Sequence, residues 1–203
     1  MRVIDISRPL LTAPLYPGDP PPRLERLSSL DTGDDFTTSA LYACLHTGTH
    51  LDAPAHALPD MPGVCELASE VFLGECAVVP FDGVMTGRQA EDLLARTGSM
   101  QRLLLKGQAL LSPSAAFVLS GAGLLLLGCE GPSIAQEPYT LEVHRTLLGA
   151  GTALLEGLDL SGAAPDRYFL LAPPLAVQGA EASPVRAMLI ARERLDWAGP
   201  SRR

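Results

Sequence analysis

The chain has 203 residues, 47% of them hydrophobic and 19% charged, enough to bury the core of one domain, so residues 1–203 are read as a single domain. A net charge of −8, with Lys106 the single lysine beside fourteen arginines, leaves no basic stripe for a phosphate backbone and excludes nucleic acid as an expected partner. The opening MRVIDISRPL lacks the apolar stretch of a signal peptide, and no window approaches the roughly 20 apolar residues that span a bilayer, so a cytoplasmic protein without a membrane partner is expected.

Residues 3 to 7 (VIDIS) are predicted as a first strand, and the proline-rich LTAPLYPGDPPPR (11 to 23) as loop, because proline cannot donate to a ladder. Phe36 to Leu45, rich in Thr, aromatic and aliphatic residues, is predicted as a strand that feeds into a histidine cluster. Pro59, Pro62 and Gly63 break the segment 57 to 73 into loop with a helical turn near Glu66 to Ser69. A strand follows at Glu75 to Phe81. Thr86 is the expected N-cap of a helix in which Ala90, Leu93, Leu94 and Thr97 recur at helical spacing, and Gly98 stops it.

RLLLK (102 to 106) is the next strand, Pro113 opens a helix that ends near Gly121, and Leu124 to Cys129 has the unbroken apolar pattern of a strand buried on both faces. A helix over Thr140 to Leu148, a short strand at Ala153 to Glu156, and late strands at Tyr168 to Leu171 and Ala187 to Ala191 complete an alternating α/β order. No repeat or linker marks a second domain. Cys44, Cys65, Cys76 and Cys129 are dispersed without a CxxC pair, as expected of reduced, buried small hydrophobes.

Three of the four histidines fall in HTGTHLDAPAH, residues 46 to 56. His46, His50, Asp52 and His56 offer imidazole nitrogen and carboxylate oxygen, a mixed donor set that suits zinc or manganese better than calcium. Gly48 and Pro54 make a continuous helix improbable. All four side chains sit at even positions, so an extended backbone would place them on one face, unless Gly48 turns the chain. Polar loop residues satisfying nearby backbone groups are the ordinary alternative; three histidines and an aspartate at this spacing favour a metal site.

The remaining histidine, His144 in LEVHRTLL, shares a helical face with Leu141 and Leu148 and is expected to point inward. It reads equally as a core histidine with a satisfied ring. Glu156, in LLEGLDL, ends a predicted strand, where α/β sheets place ligand-binding groups and where a solvated glutamate is also ordinary.

These residues resemble the cyclase-like metal-dependent hydrolases, a family that includes bacterial kynurenine formamidase. The family signature HxGTHxDxPxH is matched by HTGTHLDAPAH, and the family's later histidine and glutamate, twelve positions apart, are matched by His144 and Glu156. VIDIS, LYPGDP, RLLLK, GCEGPS, EGLDL and ASPVRAMLI resemble family segments in the family order.

The resemblance implies a single-domain α/β protein of the swivelling β/β/α fold, forming homodimers. It implies that His46, His50 and Asp52 bind one metal ion and that Asp52 and Glu156 bridge to a second, held also by His144. His56 would be the acid/base residue, and zinc the metal, two ions per subunit, with manganese the alternative. Tyr16 stands where formamidases usually carry the tryptophan that packs on the substrate's aromatic ring.

The implied activity is hydrolysis of N-formylkynurenine to kynurenine and formate in tryptophan degradation. Its rivals are hydrolysis of another amide, lactam or lactone, as in isatin hydrolase, and metal binding without catalysis. A Cys–His hydrolase built on Cys44 or Cys129 is disfavoured, since nothing in their apolar surroundings lowers a thiol pKa.

Overall fold

In the computed structural model, which describes residues 2–191, the apolar runs of the sequence become the centre of one sheet. The strands in chain order are β1 (Arg2–Asp5), β2 (Arg23–Ser28), β3 (Thr38–Tyr42), β4 (His50–Asp52), β5 (Leu73–Pro80), β6 (Gly83–Met85) and β7 (Arg102–Lys106). They continue as β8 (Ala109–Leu111), β9 (Leu126–Cys129), β10 (Ala153–Glu156), β11 (Arg167–Leu171), β12 (Ala182–Pro184) and β13 (Met188–Ala191). The helices are α1 (Ser69–Phe72), α2 (Gly87–Thr97), α3 (Pro113–Ser120) and α4 (Thr140–Gly149).

Nine strands form the main sheet in the order β1-β13-β11-β5-β7-β9-β10-β4-β12. β5, β7, β9 and β10 run parallel, and the flanking strands pair antiparallel. Strand residues alternate between two cores, as the pleat requires. Leu103 and Leu105 join α2, α3 and α4 in one, while Leu104 and Leu126 join Ile6, Leu170 and Leu189 on the opposite face. RLLLK therefore carries consecutive leucines because both its faces are dry.

Local sequence explains the helix ends. Thr86 caps α2 in a reciprocal capping box with Gln89, and Ser112 caps α3 with Pro113 in its first turn. In α4 the inward face is formed by Val143, His144, Leu147 and Leu148; Leu141, expected beside His144, is 53% exposed. The helical arc facing the sheet is centred past it.

Several expectations change in detail. The strand expected over Phe36 to Leu45 is confined to β3, and its partner β2 begins at Arg23, where loop gives way to RLERLS. β6, β8 and β12, three residues each, are too short to show a period. The helical turn expected near Glu66 to Ser69 is two pieces, a 3-10 turn at Val64–Glu66 and then α1. Of the cysteines, all free, Cys76 and Cys129 are buried as expected, but Cys44 is half-buried and Cys65 exposed.

Candidate metal centre

β4 and β10 lie side by side and antiparallel, with His50 opposite Glu156 and Asp52 opposite Leu154. This pairing joins residues about a hundred positions apart and places two carboxylates on neighbouring strands. The loop before β4 is pinned by Thr49, whose hydroxyl donates to Gly157 O at 2.6 Å and accepts from the Arg8 amide at 2.8 Å. Gly48 and Gly157 both have positive φ, +70° and +68°, and any side chain at Gly157 would run into the Gly48 carbonyl.

The even-position argument holds only in part. Gly48 does turn the chain, the extended backbone covers only His50 to Asp52, and Pro54–His56 is a 3-10 turn. His46 and His56 nonetheless return to the same point: the centroids of their rings are 4.3 Å apart, with His50 5.1 Å from His46 and His144 5.7 Å from His56. Strand alternation brings together only His50 and Asp52 on β4; the rest of the convergence comes from two bends and from α4.

Asp52 lies at the centre. It is 1% exposed, and neither carboxylate oxygen has a hydrogen-bond donor; the nearest atoms are His46 Nδ1 at 2.9 Å from Oδ1, outside hydrogen-bonding geometry, and His50 Nε2 at 3.5 Å. Burial would raise its pKa, but the imidazoles of His50 and His46 hold it well below the carboxylate range. Glu156 accepts the Ile134 amide at Oε1 (2.8 Å), which also faces His144 Nε2 at 3.4 Å, while Oε2 lies 3.7 Å from His50 Nε2.

The far nitrogens of two rings are fixed by backbone: His50 Nδ1 pairs with Gly48 O at 3.0 Å and His144 Nδ1 with Thr140 O at 2.8 Å. Both rings thus turn Nε2 toward the carboxylates. Against the desolvation of burial, Glu156 raises the His144 pKa to about 9, and Asp52 raises that of His46. Desolvation wins at His56, lowering its pKa, although Asp52 opposes it.

A buried carboxylate without donors, ringed by imidazole nitrogens, is a poor arrangement for a protein alone and a suitable one for a divalent cation. Two sets have ligand atoms within 4.8 Å of one another: His46, Asp52 and His56, and His50, Asp52 and Glu156. Asp52 belongs to both. His144 approaches through Glu156, and all six residues face one cavity of about 290 Å³.

Tyr16 lines the same cavity, together with Asp19, Ser133 and Thr140. Asp19 follows Tyr16 within LYPGDP, and its sequence gave no donor pattern to single it out. Nor did Glu181, whose Oε1 is 3.4 Å from His46 Nε2. Cys76 and Cys129 are buried, and burial pushes the Cys76 thiol to about 12 and raises Cys129 well above its usual value, which disfavours a thiolate at either.

Residues 4–136, about two thirds of the chain, match the model of the "Putative cyclase" family. The chain belongs to the cyclase family. A solved structure described as a potential metal-dependent hydrolase with cyclase activity is 25% identical over 95% of this chain and 98% of its own, with a TM-score of 0.78. A predicted metal-dependent hydrolase from Bacillus stearothermophilus is 24% identical over 93% and 97%, with a TM-score of 0.77. Isatin hydrolase A from Labrenzia aggregata, bound to benzyl benzoate, shares the fold at a TM-score of 0.80, with 21% identity over 94% of each chain. The α/β fold expected from the sequence is that of these cyclase-like hydrolases.

Proposed function

We propose that this cyclase-family protein is a metal-dependent hydrolase of a non-peptide amide, acting on an N-formyl arylamine, with N-formylkynurenine hydrolysed to kynurenine and formate in the cytoplasm. The observation that carries the reading is Asp52: a carboxylate with no donor of its own, shared by two sets of ligand atoms at the floor of a cavity. His46, His50, Asp52, His144 and Glu156 would hold the metal, zinc by its donor set, with Asp52 placed to serve two ions. Bound there, divalent metal supplies Lewis-acid chemistry, lowering the pKa of water and polarising a carbonyl.

The protein's own groups do the rest. The His56 ring sits at the exposed side of the histidine cluster, and desolvation keeps its pKa below the ordinary histidine value, so it is neutral near pH 7. It would accept a proton from the attacking water as the C–O bond forms and return it to the departing nitrogen as the C–N bond breaks. Tyr16 lines the cavity and would pack against an aryl group.

A second reading, hydrolysis of a cyclic amide, is supported by Tyr16 in place of tryptophan and by the fold shared with isatin hydrolase A. Metal analysis of the purified protein beside assays with N-formylkynurenine and isatin separates the two. Formamide turnover that chelation abolishes, zinc restores and thiol alkylation leaves intact is the expected result; turnover of isatin alone selects the second reading. Metal without turnover of either removes both substrate assignments and moves the function to another amide, lactam or lactone of the family's range, tested with a panel of formamides and cyclic amides.

We also propose a homodimer. Among the described residues β2 and β3 pair only with each other, and the cross-strand neighbours Leu24 and Leu41, 52% and 55% exposed, form an apolar pair on one face that suits a second copy of the chain.

A further inference from the structure

Each ring nitrogen turned toward the carboxylates is matched by a partner on the opposite side of the same ring. For His50 and His144 that partner is a backbone carbonyl, at 3.0 and 2.8 Å, on Nδ1. His46 is the reverse case. Its Nδ1 faces Asp52, and its Nε2 lies 3.4 Å from a carboxylate oxygen, Glu181 Oε1, an ion-pair contact from which a small ring rotation makes a hydrogen bond.

The fold sets this encounter. Glu181 immediately precedes β12, which pairs with β4 so that Ala182 lies opposite Asp52. Its backbone carbonyl accepts the Ala53 amide at 2.9 Å, and the neighbouring Ala180 carbonyl accepts the Val64 amide at 2.9 Å. The main chain at 181 is thus fastened to the metal-site loop on both sides, while the side chain reaches back to His46. Glu181 has a side chain 41% exposed, against 18% for His46, so it closes the ring from the solvent side.

Resting on the metal-centre reading above, we propose that Glu181 is a positioning residue for His46: its carboxylate accepts the Nε2–H, which fixes the tautomer with the Nδ1 lone pair toward Asp52 and raises the ring's strength as a metal donor. A histidine with no such acceptor divides between two tautomers, and only one can ligate through Nδ1. A carboxylate acceptor also polarises the imidazole more than a carbonyl does, and removing such a partner typically lowers metal affinity 10- to 100-fold. His46 is the ligand candidate with this charged support among the described residues; without it the ring is restrained by Asp52 and by its contacts with the His50 and His56 rings, none of which accepts from Nε2.

The test is zinc affinity, measured by competition with a chromophoric chelator, in the wild type and in Glu181→Ala, Glu181→Gln and Glu181→Asp. Glu181→Ala is expected to bind about 10- to 100-fold more weakly. Glu181→Gln should recover part of that loss, since its amide oxygen still accepts Nε2–H, and Glu181→Asp should lose affinity because it keeps the charge but shortens the reach. Imidazole 15N spectra of the zinc-loaded wild type should place the proton of His46 on Nε2. Melting of the metal-free variants should match the metal-free wild type, separating positioning from a folding defect.

Affinities within about twofold of wild type in all three variants, or a His46 proton on Nδ1, overturn the role of Glu181 while leaving the metal centre standing. Equal affinity in wild type and Glu181→Asp with loss in the other two reduces Glu181 to a bystander charge and also overturns the positioning role. A wild type that takes up no zinc overturns the metal-centre reading, and this inference falls with it.

Discussion

Histidine chemistry at this site is decided by which nitrogen is free and which proton must leave. His56 has neither a backbone nor a carboxylate clamp among its described contacts, and it is the most exposed of the four rings, as suits a proton carrier. His56→Ala is expected to lower turnover by about 10²- to 10⁴-fold while bound metal stays at the wild-type ratio. Loss of metal in that variant would make His56 a ligand, which its place beside His46 and Asp52 makes a sharp alternative. His144 is the opposite case. In the metal-free protein Glu156 raises its pKa to about 9 against the desolvation of burial, so below that pH it keeps a proton that metal must displace. Metal uptake should therefore release a proton, and apparent affinity should climb as pH rises toward 9 and fall on acidification. Calorimetry in buffers of different ionisation enthalpy reads the released proton; affinity flat over that range would count against His144 as a ligand.

At the level of elements, the site depends on two approaches of backbone to backbone. Gly157 directly follows β10 and meets Gly48 in the turn before β4, so close approach at two glycines accompanies the register of the two ligand-bearing strands. Gly157→Ala should both strain a positive φ and push the Gly48 carbonyl away, lowering metal content as well as stability. Gly151→Ala is the control, because Gly151 also has a positive φ, +85°, but nothing within 4 Å of an added Cβ. Denaturant melts and metal content equal in the two variants would show that the glycine contact is not what aligns the strands. The sheet itself rests on leucines that face both cores. Leu104 is fully buried on β7, and Leu104→Ala should cost about 2 to 5 kcal/mol, measured as a shift in the urea midpoint with little change in slope.

For the whole molecule, bound metal should couple to folding, because the unfolded chain cannot gather ligands from β4, α4 and β10. Free metal at 100 times its Kd stabilises by about 2.7 kcal/mol. In a chain of this size that corresponds to a melting temperature roughly 5 to 11 °C higher than after chelation. Calorimetric scans with no difference would mean that the ligands do not act together. The exposed apolar face of β2 and β3 bears on assembly at the same scale. Light scattering is expected to give a dimer, and Leu24→Glu with Leu41→Glu a monomer; a monomeric wild type would remove the homodimer.

RLLLK, the capped helices and the alternation of strand with helix were legible in the sequence, because burial on both faces, capping boxes and helical periodicity act over a few residues. So was the donor set of HTGTHLDAPAH, since ligand identity is a property of side chains. What the sequence determined by itself was the fold class and the chemistry on offer. Convergence was a tertiary outcome: the bend at Gly48 defeats the even-position rule, and only the pairing of β4 with β10 and the docking of α4 bring Asp52, Glu156 and His144 to one cavity. Asp19 and Glu181 join that cavity or its rim from the loop after Tyr16 and from the approach to β12, with no spacing that marks them. Long-range strand pairing fixes such meetings, and a local pattern cannot encode which distant strand will pair with it.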